Sequence, residues 1–106
     1  MPWFSVRIET RGDEAVGMTG DELSERLGDL LDALQPHHGS VSGGGEPVRW
    51  AATVSVESPS ALTAIAEASA IIRREAADVF LPDWPVVRAE ATREDVLDEE
   101  LARPQT

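Results

Sequence analysis

The chain contains no cysteine and no lysine. The first absence excludes disulfides, thiolate zinc and iron–sulfur sites and thiol nucleophiles together. The second leaves nine arginines as the only strong bases, set against 20 Asp and Glu for a net charge of −11. Nucleic-acid binders carry the opposite excess, so neither DNA nor RNA is an expected partner of this chain. Apolar runs are short, far below the ~20 residues of a membrane span. The opening MPWFSVR has no basic segment leading into an apolar one, so no secretory signal is visible. The expectation is a cytoplasmic protein with no membrane partner. What is present is 42% apolar residues in 106 positions, enough for one packed core and too few for two.

Residues 3–9 alternate, with Phe4, Val6 and Ile8 on one side and Trp3, Ser5, Arg7 and Glu9 on the other, the period of a strand packed on one face. Thr19 as N-cap, with Glu22 three residues later, opens a helix whose leucines 23, 27, 30, 31 and 34 form a single stripe; Pro36 closes it. Residues 39–42 predict a short strand running into a glycine turn, and 48–57 a firmer one with Trp50, Ala52, Val54 and Val56 on one side. Ser58 and Pro59 read as the cap and first residue of a second helix carrying Leu62, Ile65, Ser69, Ile72, Ala76 and Val79. Pro82 and Pro85 bracket a turn, and 86–92 is the last strand, with Val87, Ala89 and Ala91 on one side. The order β-α-β-β-α-β predicts an α+β, ferredoxin-like fold, a four-stranded antiparallel sheet in the order 4-1-3-2 with both helices on one face. The domain is expected to occupy 1–92. Residues 93–106 are read as an acidic tail with a short helix, since 94–100 hold five acids in seven residues.

The candidate chemistry is sparse. His37 and His38 are the only histidines and follow the first helix, where the helix dipole accounts for them; adjacent side chains diverge, so a metal site is not expected. Gly43, Gly44 and Gly45 lead into a strand rather than a helix, which is wrong for a phosphate loop. Asp29 with Asp32, and Asp95 with Asp98, fall on polar helix faces, and no calcium loop is present. No Ser/His/Asp set is recognisable, so no catalytic residue and no cofactor are assigned. An RNA-reading sheet needs aromatics on its bare face, yet Phe4 and Trp50 fall inward. The bare face instead presents Ser5, Arg7, Glu9, Ala51, Thr53 and Ser55. Arg7, Arg49 and Arg88 are the anchors it offers, either against a second sheet in a dimer or to an anionic ligand.

Trp3 to Thr10, the stretch Gly39 to Gly45 before Arg49-Trp50, the segment Trp84 to Arg88 and the ending Glu94 to Pro104 resemble a group of uncharacterised actinobacterial proteins. In those proteins such a domain is N-terminal and a helix-turn-helix segment follows. The resemblance implies the partner-binding or dimerising part of a regulator, with no catalytic residues to transfer. This sequence ends at Thr106, where the DNA-reading part would begin.

The leading expectation is therefore a non-enzymatic interaction, oligomerisation or sensory module, self-associating through its bare sheet face or through the edge strand around Val41. The alternative is a small dimeric enzyme or small-molecule binder with a pocket near Trp50 and His37 or His38. At physiological salt the isolated chain is expected to show no measurable affinity for duplex DNA or RNA. Salt-titrated fluorescence anisotropy checks this, and micromolar binding would contradict it.

Overall fold

The computed structural model describes residues 1–12, 20–44, 49–81 and 85–95. Strand β1 is Trp3–Arg11, in which Phe4, Val6, Ile8 and Thr10 are buried and their neighbours are not. Helix α1, Gly20–Ala33, is followed by a 3-10 turn at Gln35–His37 that contains Pro36. Then come β2 (Ser40–Gly44), β3 (Arg49–Glu57), helix α2 (Ala61–Asp78) and β4 (Val86–Arg93). The result is an α+β chain with one four-stranded antiparallel sheet, β2-β3-β1-β4, and two helices.

β1 and β3 pair in register from Trp3↔Glu57 to Arg11↔Arg49. That register puts Phe4, Val6 and Ile8 beside Val56, Val54 and Ala52 on one face, where they join Trp50 in a single hydrophobic cluster. α1 adds Leu23, Leu27, Leu30 and Leu34, and α2 adds Ala64, Ala68, Ile72 and Ala76 to the same cluster. Both helices therefore cover one side of the sheet. α1 supplies bulk, whereas the four-residue spacing of small side chains on α2 lets its backbone lie close to the strands. At Gly43 a Cβ atom would collide with the Leu27 side chain, so glycine lets α1 settle on β2. Thr10 is the polar member of the inner register and is buried, its Oγ1 donating to the Trp50 carbonyl at 3.1 Å.

Four sequence expectations are corrected. The cap of α2 is Ser60, whose Oγ accepts from the Thr63 N–H at 3.2 Å; Ser58 is buried, and its N–H donates to the Pro2 carbonyl at 3.0 Å. That bond holds Ser58 to the N-terminal strand and delays the helix by two residues. Leu62, expected in the core, consequently falls in the first turn and is 82% exposed. Gly43 and Gly44 are not a turn; they pair with Trp50 and Arg49 in β2. In β4 the register slips between Glu9 and Thr10 of its partner, so Val87 is extruded and exposed, and Ala89 at the uncovered edge is exposed too. The capping box at Thr19, the Pro82 turn and the tail beyond 95 lie outside the described residues.

α2 ends with the Leu81 N–H donating to the Ala76 carbonyl and the Phe80 N–H to that of Ala77, a termination that places Phe80 at φ 63°, where glycine is usual. Leu81 is buried by it, while Phe80 stays exposed with the Arg26 guanidinium 5.6 Å from its ring centre. Phe80→Gly is expected to stabilise the chain by roughly 0.5–1 kcal/mol, the left-handed backbone penalty exceeding the exposed cation–π contact it removes. Leu30→Ala is expected to cost about 2–5 kcal/mol as a fully buried side chain is truncated. Chemical denaturation measures both, and a loss under about 0.5 kcal/mol for Leu30→Ala would contradict the α1 packing.

Candidate functional site

The face of the sheet opposite α1 and α2, which neither of them covers, carries the odd-numbered residues of β1 and β3. Their register puts Arg7 opposite Thr53 and Glu9 opposite Ala51, and β4 places Glu90 opposite Arg7 and Arg88 opposite Glu9 on the other flank. At this end the face sinks into a concavity of about 480 Å³ lined by Arg7, Glu9, Ser42, Arg49, Ala51 and Arg88, with Thr10, Gly43 and Trp50 completing it. Three arginines from three strands thus converge on one hollow.

Their environments differ. The Arg7 Nε donates to Glu9 Oε1 at 3.0 Å, and its Nη2 approaches Ser42 Oγ at 3.5 Å. To reach from β1 to β2 the side chain must pass over β3 at Ala51, which explains why Ala51 is only 6% exposed on a face no helix covers. Arg88 Nη2 donates to Glu90 Oε2 at 3.3 Å. Arg49 is exposed, and its side chain makes no hydrogen bond or ion pair among the described residues. Three guanidinium groups meet two carboxylates, Glu9 in the lining and Glu90 beside it on Arg88, a local excess of positive charge on a chain whose net charge is −11. A guanidinium presents its donors as a planar fork that matches carboxylate and phosphate oxygens two at a time. Trp50 Nε1 is buried with no hydrogen-bond partner among the described residues.

His37 and His38 are elsewhere. They border a shallower hollow of about 280 Å³ with Trp3, Pro36, Ser55, Glu57 and Glu67, at the Trp3↔Glu57 end of the sheet. Neither of the two hollows described here joins Trp50 to the histidines, because Trp50 pairs with Thr10 at the other end of β1. His38 holds the left-handed backbone, φ 54°, that turns the chain out of the 3-10 turn. Among the described residues no group of three or more His, Cys, Asp or Glu is placed to hold a metal ion. Asp29 and Asp32 are exposed on α1 and line neither hollow described here.

Glu9 and Ser42 are the residues that sequence reasoning passed over. Alternation already set Glu9 beside Arg7 on the bare face, and that was the available signal; Ser42 needed the β2–β3 register. Glu94 was likewise read as tail, yet its carboxylate accepts from Ser55 Oγ at 2.6 Å across β1. No helix among the described residues is long and apolar enough to cross a membrane. Neither family models, nor curated proteins, nor solved structures provide a match for the chain.

Exposed ion pairs contribute little to folding, so the three arginines are expected to be dispensable for stability. Arg49→Ala should change the unfolding free energy by less than about 0.5 kcal/mol and Arg7→Ala by less than about 1 kcal/mol. Urea titration followed by circular dichroism reads this; a loss above about 2 kcal/mol would make them structural residues.

Proposed function

We propose that the chain is a non-enzymatic interaction or sensory module of ferredoxin-like build, working through its bare sheet face, with Arg7, Arg49 and Arg88 receiving an anionic group. The observation that carries this is the convergence of three guanidinium groups from β1, β3 and β4 on one hollow, Arg49 among them with no described partner. Its size, about 480 Å³, falls within the ~300–1,000 Å³ of ordinary ligand sites. The lining suits binding better than proton transfer. Glu9 is held by Arg7 and the Thr10 hydroxyl by the Trp50 carbonyl, so neither stands ready as a base. The strand order β2-β3-β1-β4 with two helices on one face supports the ferredoxin-like assignment. The resemblance to N-terminal domains of actinobacterial regulators would make this the partner-sensing part of such a protein.

Citrate and inorganic phosphate are suitable probes. Amide resonances of Arg7, Ala51 and Arg88 should shift saturably with a millimolar or tighter dissociation constant, and Arg49→Ala should weaken binding roughly tenfold, the ~1.4 kcal/mol of one charge-assisted contact. Glu9→Gln removes the carboxylate that competes for Arg7 and should tighten it. The absence of saturable shifts with either anion would contradict the assignment.

A further inference from the structure

The outward residues of β3 are Arg49, Ala51, Thr53, Ser55 and Glu57. Read backwards, this series is its own complement. A two-fold axis across the sheet at Thr53 sets Arg49 against Glu57 of a second copy, Ala51 against Ser55 and Thr53 against itself. β1 follows, because Arg7 is level with Thr53. The same axis sets Trp3, 48% exposed, against Arg11, a pairing of indole face with guanidinium. At the axis itself the two copies of Arg7 meet, and one strand over the two copies of Glu90, but each Arg7 is paired with its own Glu9 and each Glu90 with its own Arg88.

Charge on the face is segregated along the strands. Arg11, Arg49 and Arg88 outweigh Glu9 at one end, Arg7 and Glu90 lie level with Thr53 at the centre, and Glu57 and the Glu94 carboxylate, bonded to Ser55, occupy the other end. Two copies stacked face to face with strands antiparallel bring each positive end onto a negative one. Between the ends the residues are small, which lets two sheets approach to the ~10 Å of a sandwich.

We infer that the anionic groups received by the arginine site are the carboxylates of a second copy of this chain, in a face-to-face antiparallel homodimer with Thr53 on the two-fold axis. The inference rests on the reading of Arg7, Arg49 and Arg88 as an anion site and names its partner. Nine-residue strands at ~3.3 Å per residue and a width of four strands at ~4.8 Å give a face of roughly 500 Å² per copy, or about 1,000 Å² over both, the lower bound of a specific interface. The dimer is accordingly expected in the micromolar range. The charge of −11 on each copy opposes it at long range, but screening confines that repulsion to about 8 Å at 0.15 M salt.

Sedimentation equilibrium on the full chain at 0.15 M salt tests this by charge exchange. Arg49→Glu and Glu57→Arg, each shown folded by circular dichroism, should each weaken the dimer at least tenfold, since each sets like charges against one another twice. Mixed in equal amounts they should recover a heterodimer close to the wild-type affinity. Thr53→Arg, which brings two cations together on the axis, should give a monomer. A wild-type chain that is monomeric at high micromolar concentration overturns the inference, as does a mixture no tighter than its separate components. Citrate distinguishes this from failure of the underlying reading: a monomer that still binds citrate through Arg49 keeps the anion site and loses the second copy.

Discussion

The antiparallel register of β1 with β3, from Trp3↔Glu57 to Arg11↔Arg49, decides which side chains reach the helices and which remain on the bare face. A slip of one residue would turn the apolar set of one strand to water, either Phe4, Val6 and Ile8 or Trp50, Ala52, Val54 and Val56, and bring Arg7 with Glu9, or Arg49, under the leucines of α1. Burying those charges unpaired would cost far more than the few kcal/mol by which a domain of this size is stable. The hydrophobic effect therefore fixes the register, and the register in turn assembles the arginine hollow. Site and core are two faces of one pairing.

The helices contribute unequally to that core. Leu23, Leu27, Leu30 and Leu34 give α1 a deep apolar stripe, whereas α2 buries mainly alanines and Ile72. A stripe of methyl groups removes little apolar area per residue, so α2 depends on close approach and on its ends. Ser60 satisfies an N–H at the start. At the other end the left-handed turn at Phe80 folds Leu81 into the core. The buried hydroxyl of Ser58, with no hydrogen-bond partner among the described residues, is a local cost that the same segment tolerates.

Much of this was legible in the sequence, and the failures have physical causes. Alternation in β1 and β3 assigned Phe4, Val6, Ile8, Trp50 and Val54 to the core and Arg7 and Arg49 to the bare face, because side-chain direction in a strand is fixed by parity alone. The leucine spacing did the same for α1. Local pattern made Ser58 the cap of α2, but a tertiary bond from its N–H to the Pro2 carbonyl holds it outside the helix and leaves the capping to Ser60. Parity also fails across a bulge, which is why Val87 was misplaced while Arg88 landed beside Glu9. That the arginines of three strands share one hollow, and that His37 and His38 do not, required the strand pairing, which local pattern does not encode.

The charge distribution limits what kind of partner the arginine hollow can serve. Asp21, Glu22, Glu25, Asp29 and Asp32 all lie on α1, across the sheet from Arg7, Arg49 and Arg88. A sheet with a helix layer on it is about 10–20 Å thick, one or two screening lengths at physiological salt, so the two fields cancel little at contact. At longer range an approaching anion meets a molecule of charge −11 and is repelled. Association is thereby slowed for any strongly charged anion, including nucleic acid, while the short-range attraction of the forks is left intact. Such a surface discriminates by geometry at contact rather than by steering. It favours a partner that brings a few carboxylates at the spacing of the arginines on an otherwise close-fitting face, and a strand carrying Glu57 eight residues from its own Arg49 meets that requirement.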